Sequence, residues 1–310
     1  MGEYTRISVK RLSGAGGAEI GGVDLSKPLD DETLAEIRKA FADYLVIGFR
    51  DQDITPDQQC DFTRHFGRLT KHPFVKNMDE YPDVARVLRL ADDTTANFGG
   101  VWHADTTFIE RPPLGSSLHA LEIPPYGGDT LFTNLYMAYE TLSPGMQKLA
   151  DTLVVMHSAA GGYDPDRGAK DPGKSNVMQT GVTFDVKEDE VSNEMPHPLV
   201  RINPDNGRKA LWTAGAYCLR FQDMTEEESK PLLDFFHEHV RNPNFTFRWT
   251  WSKGALLFWD NRVTNHFAIN DYSGWRREMH RVQAEGERPF GPALPVEDDV
   301  APMHNRAAAG

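Results

Sequence analysis

His266 stands between an apolar run, Ala255 to Trp259, that closes on the polar knot Asp260-Asn261-Arg262, and a second run carrying Arg277, Met279 and Arg281 at a spacing of two. If the second run is extended, those three side chains share one face and Arg276, Glu278 and His280 the other. Two arginines on an inward face are expensive to bury without anionic partners. Well upstream, His103 and Asp105 are also two apart. On an extended segment that spacing brings an imidazole nitrogen and a carboxylate oxygen to one side, where both reach a single metal ion. Alone, His-x-Asp is common, and its bland alternative is a surface histidine beside a turn aspartate. With His266 it makes two histidines and one carboxylate, the donor set of a non-haem Fe(II) site with three positions left open. Hydrolytic zinc sites use the same donors. The inward arginines separate the two readings, because a hydrolase needs no dicarboxylate clamp.

The elements that must position these groups are partly legible. Residues 5–11 read as a strand, and Leu34, Ile37, Phe41 and Tyr44 fall at helical spacing behind Asp30-Asp31-Glu32. Leu45 to Phe49 reads as a buried strand. Thr55-Pro56 opens a second helix that runs to about His65 and stops at Gly67. Gly14 to Glu19 is a weak decoy for a dinucleotide loop, since no helix opens there. Strands are expected at Ser116 to Leu121 and Leu131 to Thr133, and helices at Met137 to Leu142 and Met146 to Leu153. A hairpin at Leu199 to Ile202 and Ala210 to Trp212 turns through Asn203 to Gly207. Thr225 to Glu228 is a capping box for a helix ending near Val240. His237-Glu238-His239 on that helix reads as solvated surface, because near neighbours diverge around a helix. Asn244 to Ser252 alternates aromatic and polar residues, as a strand with one buried face does. Residues 158–193 lack periodicity and are expected to form an active-site lid. The proline- and alanine-rich segment 289–310 is expected to be a mobile tail, leaving one domain over 1–288.

Composition narrows the class. At 310 residues and 39% hydrophobic, the chain has ample core for a large domain. A net charge of −13 without a basic stripe argues against nucleic acid. No apolar run is long enough to span a membrane and the start has no apolar signal core, so a cytoplasmic location is expected. Only Cys60 and Cys218 occur, which suits reduced thiols.

The motifs GAEIGGVDLSKPL, WHADTTFIERPP, GGDTLFTNLYMAYETLSP, HPLVRINPDNGRKAL and WDNRVTNHFAINDYSGWRREMHR cover nearly the whole chain. They resemble the taurine dioxygenase and 2,4-dichlorophenoxyacetate dioxygenase family (TauD/TfdA) of Fe(II)- and 2-oxoglutarate-dependent oxygenases. The resemblance implies an α+β, mainly β fold, a double-stranded β-helix or jelly roll with flanking helices. It implies Fe(II) on His103, Asp105 and His266, and 2-oxoglutarate held by Thr130 and Arg277 with Leu121 alongside. O2 would be the oxidant, and succinate and CO2 the coproducts, as in enzymes of class EC 1.14.11. Having a carboxylate at Asp105 argues against the halogenating relatives. His72 and Arg281 match the groups that grip an anionic substrate, with Asn97, Thr106 and Tyr217 lining the pocket. Departures from the taurine pattern are Val75 in place of a tyrosine, Gly99 in place of an asparagine, and Gly162-Tyr163 in place of a serine-phenylalanine pair. The implied substrate is a small organic anion hydroxylated next to its acidic group, a sulfonate or sulfate ester ahead of an aryloxyalkanoate or other carboxylate. A homo-oligomer, dimer or tetramer, is expected. A zinc hydrolase and a non-catalytic jelly-roll binding protein are the readings from other classes.

Overall fold

The computed structural model describes residues 4–93, 97–163, 182–186 and 188–295. The architecture is mixed α+β and mainly β. Its largest sheet has eight strands. Seven run in the order β1 (Ser8–Arg11), β2 (Ala18–Gly21), β3 (Val46–Phe49), β14 (Leu256–Asp260), β6 (Gly115–Glu122), β16 (Arg277–Ala284) and β4 (Leu69–Thr70). The eighth, β5 (Ala85–Arg89), also pairs with β16. All pairs in it are antiparallel except β2 with β3.

Alternation on β3 and β14 explains why both faces are covered. Ile47, Phe49, Leu256 and Phe258 point to one side, where they pack with Ile37 and Phe41 of α1 (Asp31–Tyr44) and Phe62 of α2 (Pro56–Arg64). Val46, Leu257 and Trp259 point to the other, against Phe132, Phe247, Trp249 and Trp251. Phe132, Phe247 and Trp249 come from a second sheet, β13 (Thr246–Trp249), β7 (Thr130–Asn134) and β15 (Thr264–Ala268), in that order, and Trp251 follows β13. The close approach of the sheets requires glycine at 48, since a Cβ there would lie 2.2 Å from the Trp249 ring. Asp30 caps α1 by accepting from the Thr33 amide, and Thr55 and Gln58 cap α2 reciprocally. A further core joins the hairpin β10 (Val200–Ile202) and β11 (Lys209–Leu211) to the helices Leu135–Glu140, Pro144–Ala150 and Glu226–Val240.

Three local expectations change. The Asn244 to Ser252 strand shortens to Thr246–Trp249, because Pro243–Phe245 form a 3-10 turn whose Asn244 amide bonds the Asn242 side chain. Its alternation survives, with Phe245, Phe247, Trp249 and Trp251 buried. The helix expected to reach Leu153 stops at Ala150, and β-branched Val154 and Val155 open β8 (Val154–Ser158). His237 and His239 are half-buried rather than solvated: His239 Nε2 donates to the Ala138 carbonyl at 2.8 Å, and its ring stacks on Phe235. Residues 289–295 run beside β10, where the Ile202 amide donates to the Phe290 carbonyl. Residues 296–310 lie outside the described residues.

Two buried histidines brace the segment that follows Asp105. His157 Nδ1 lies 2.9 Å from the Thr107 hydroxyl and His197 Nε2 lies 3.0 Å from the Ile109 carbonyl, with both rings against Trp212. Burial lowers the His197 pKa to about 3 and that of His157 well below its ordinary value. Both are neutral in the fold, so their contribution to stability is intact above the unfolded value of about 6.5 and is lost as pH falls below it. Each should cost about 1.4 kcal/mol per pH unit in that window. Urea midpoints are therefore expected to drop between pH 6.5 and 4.5, less steeply in His197→Asn. A flat profile in the wild type would contradict a neutral buried pair.

Candidate active site

His103 and His266 are brought together by the main chain. The His103 amide donates to the His266 carbonyl at 3.1 Å and the His266 amide to the His103 carbonyl at 2.8 Å, an isolated antiparallel bridge that extends β15. Asp105, two residues on, brings Oδ1 to 3.7 Å from His103 Nε2 and 3.5 Å from His266 Nε2. One ligand atom from each of the three residues lies within 4.8 Å of the others, and all three residues are buried. Donors about 2.1 Å from one ion sit roughly 3 Å apart when adjacent, so small movements close the set.

Protonation suits a cation. Burial lowers the pKa of both histidines, leaving them neutral. The His103 Nδ1–H donates to the Val101 carbonyl at 2.7 Å, which leaves the Nε2 lone pair facing Asp105. Burial opposes ionisation of Asp105, but the Arg281 guanidinium and a hydrogen bond from Ser116 hold its carboxyl well below the usual range. The donor set therefore fits Fe(II), and with both nitrogens free of protons it fits other divalent ions too.

Arg277 and Thr130 lie on facing sheets. Strand β16 turns Arg277, Met279 and Arg281 inward, and all three are buried. The Arg277 guanidinium rests near Trp251 and Tyr272, and Nη2 makes only a long contact of 3.4 Å to the Gly128 carbonyl. Among the described residues no carboxylate lies within ion-pair distance of it. Thr130 accepts from the Trp251 indole at 3.1 Å. Leu121 sits half-buried at the register shift where β6 meets β16, and it offers packing only.

On the other side, Arg281 Nη2 lies 2.8 Å from Asp105 Oδ1. The contact is an ion pair out of line for a hydrogen bond, and the buried Nε also has no partner among the described residues. His72 Nδ1 accepts from the Phe74 amide, so its proton is on Nε2, 2.9 Å from the Tyr163 hydroxyl. Burial and then Arg281 lower its pKa to about 3, which keeps it a neutral donor. One small cavity is lined by His72 and Arg281 together with apolar Val75, Ala85, Val87 and Phe98 and polar Thr70, Lys71, Asn77, Asp83 and Gln283. Tyr217 packs edge-on to His103 and against Phe108. Its approach relies on Gly215, where a Cβ would fall 2.0 Å from the Trp102 carbonyl. Asn97 donates to the Ala268 carbonyl at 3.0 Å, and its buried Oδ1 has no partner among the described residues. Thr106 is buried with φ 45°, an unusual backbone for a β-branched residue. Of the expected lid, residues 164–181 and 187 lie outside the described residues. Its returning end packs behind the cavity, where Phe184 bridges to Val75 and packs on Tyr163.

Two side chains at the site escaped the sequence reading: Ser116 bonds Asp105 and Asn261 bonds the Asp105 main chain. Tyr163, expected there only as half of a lid pair, bonds His72. The polar knot around Asn261 was the available signal for one of them, whereas Ser116 looks like any small residue in a strand.

Residues 8–283 match the family model described as taurine catabolism dioxygenase TauD, TfdA family. An alpha-ketoglutarate-dependent sulfate ester dioxygenase of Pseudomonas putida is 35% identical over 286 residues, covering 92% of this chain and 91% of the relative. An alkylsulfatase of Acinetobacter baylyi is 32% identical over 287 residues, covering 92% and 87%. The crystal structure of a taurine dioxygenase from Burkholderia xenovorans superposes with a TM-score of 0.77 at 31% identity, covering 98% of this chain and 99% of that one. With the family match spanning almost the entire sheet framework and the His-Asp-His cluster inside it, this chain belongs to the TauD/TfdA family and is a 2-oxoglutarate-dependent dioxygenase.

Proposed function

We propose that this enzyme hydroxylates alkyl sulfate esters at the carbon bearing the ester oxygen. The observation that carries the reading is the cationic Arg281 beside Asp105, sharing a small cavity with the donor His72 and with Val75, Ala85, Val87 and Phe98. An anionic head group suits Arg281 and His72, and apolar carbon next to it suits the others. The names of the two relatives described above favour a sulfate ester over a sulfonate.

In this reading His103, Asp105 and His266 hold Fe(II). The ion, when bound, supplies the redox chemistry that couples O2 and 2-oxoglutarate to C–H hydroxylation. Arg277 and the Thr130 hydroxyl hold the distal carboxylate of 2-oxoglutarate, a charge-assisted and geometrically specific contact. Arg281 and His72 orient the sulfate so that its neighbouring carbon faces the triad, while Tyr217 and Phe108 exclude water from that side. One oxygen atom of O2 enters the substrate and the other enters succinate, with CO2 released. The hydroxylated ester then breaks its C–O bond to sulfate and leaves an aldehyde. The two facing sheets are the halves of a double-stranded β-helix within a single domain, residues 1–288.

Sulfate and succinate should form together from hexyl sulfate, at rates well above those for taurine or 2,4-dichlorophenoxyacetate. Arg281→Ala should raise KM for hexyl sulfate roughly 10- to 100-fold, the equivalent of about 1.5–3 kcal/mol for a charged hydrogen bond, and leave KM for 2-oxoglutarate unchanged. A preference for taurine, or an unaltered KM in the variant, would reject this substrate assignment.

A further inference from the structure

We infer that Asn261 and Ser116 are positioning residues that hold Asp105 at both ends, the main chain and the carboxylate, so that a single oxygen faces the metal position. The inference rests on the assignment of Asp105 as a metal ligand. His103 and His266 are placed by mutual main-chain hydrogen bonds, but Asp105 begins a turn just past that bridge and has no strand neighbour. Asn261 fills that role with its side chain. Its Oδ1 accepts from the Asp105 amide at 2.6 Å, and its Nδ2 donates to the Asp105 carbonyl at 3.1 Å and to the Pro113 carbonyl at 3.1 Å. One acceptor facing an amide and two donors facing carbonyls fix the orientation of the Asn261 amide.

Asn261 is itself immobilised. Its amide donates to the Leu114 carbonyl at 2.9 Å, and its carbonyl accepts from the Trp212 indole at 3.1 Å. The next residue, Arg262, is fully buried and pairs with Asp260 and Asp205 at 2.7 Å each. The grip is needed because Thr106, immediately after Asp105, sits at φ 45°, a conformation that persists only where its surroundings enforce it.

At the other end, the Ser116 hydroxyl donates to Asp105 Oδ2 at 2.7 Å and accepts from Gln283 Nε2 at 3.3 Å. With Oδ2 engaged, Oδ1 is the oxygen that faces both His Nε2 atoms. Such outer contacts select one-oxygen over two-oxygen ligation and set ligand orientation.

The test is Co(II) binding to the metal-free enzyme, followed by calorimetry and by the d–d absorption band, in the wild type, Asp105→Ala, Ser116→Ala, Asn261→Ala and Asn261→Ser. Ser229→Ala, which removes a buried hydroxyl at the distant helix Glu226–Val240, serves as a stability control. Ser116→Ala and the Asn261 variants are expected to weaken Co(II) about 10- to 100-fold and to change the band, in keeping with the usual effect of removing a ligand's outer partner. Ser229→Ala should lower the melting temperature and leave Co(II) affinity and spectrum as in the wild type. If Asp105→Ala loses Co(II) while Ser116→Ala and the folded Asn261 variants bind it as the wild type does, the positioning roles are wrong. If Asp105→Ala itself binds normally, the ligand assignment fails instead. Should Asn261→Ala not fold, Ser116→Ala and Asn261→Ser decide.

Discussion

Asp105→Ala should lose divalent-metal binding by ~100-fold or more and hydroxylation with it, since even the loss of an outer partner costs about 10- to 100-fold. Asp105 contributes more than a donor atom. Its carboxylate is the only one within ion-pair distance of Arg281 among the described residues, and both side chains are almost fully buried. Removing one member of such a pair leaves an uncompensated charge and costs about 3–5 kcal/mol. The variant is thus expected to melt earlier as well as to fail in catalysis, and supplementing the assay with excess Fe(II) should not restore the rate. Wild-type turnover together with wild-type iron content in Asp105→Ala would remove the carboxylate from the site.

Arg277→Leu has the second largest expected effect. A buried guanidinium without a carboxylate partner among the described residues is a costly arrangement, and burial lowers its pKa accordingly. A bound dicarboxylate supplies the missing anion. Losing the contact should raise the apparent KM for 2-oxoglutarate by roughly 10- to 100-fold, about 1.5–3 kcal/mol, and leave KM for the sulfate ester near its original value. Leucine relieves the burial of a charge, so the variant should be as stable as the wild type in the absence of 2-oxoglutarate. Reversed KM effects would exchange the roles of Arg277 and Arg281.

What could be read from the residues followed periodicity. Strand β16 was legible because Arg277, Met279 and Arg281 alternate with polar neighbours, and α2 because threonine and proline fall at its N-cap and first helical positions. Strand β5 was not, since Ala-Arg-Val-Leu-Arg has no distinctive period and is paid for by its pairing with β16. The His103–Asp105 spacing suggested a ligand pair, but that His103 lies against His266 is a tertiary fact that spacing does not contain. Arg281 illustrates a further limit. Its inward direction followed from alternation, whereas its contact with Asp105 depends on how β16 and the His103 segment approach each other across the core. Ser116 carries no signal of its own, and Asn261 only that of its polar knot, because a hydroxyl or an amide acquires a role from its neighbours.

The reciprocal hydrogen bonds between His103 and His266 separate assembly of the site from loading of it. Two of the three donors are set by peptide groups that belong to the sheet, so the ion is not the nucleus around which this part of the chain folds. That contrasts with small zinc domains, in which binding free energy is folding free energy. A chelator should therefore strip the ion and silence the enzyme while far-ultraviolet dichroism and the cooperative melting transition persist, and re-addition of Fe(II) should restore activity without a refolding lag. For the cell, such a protein is a reusable socket, one that can be synthesised ahead of its iron supply and filled when the metal becomes available.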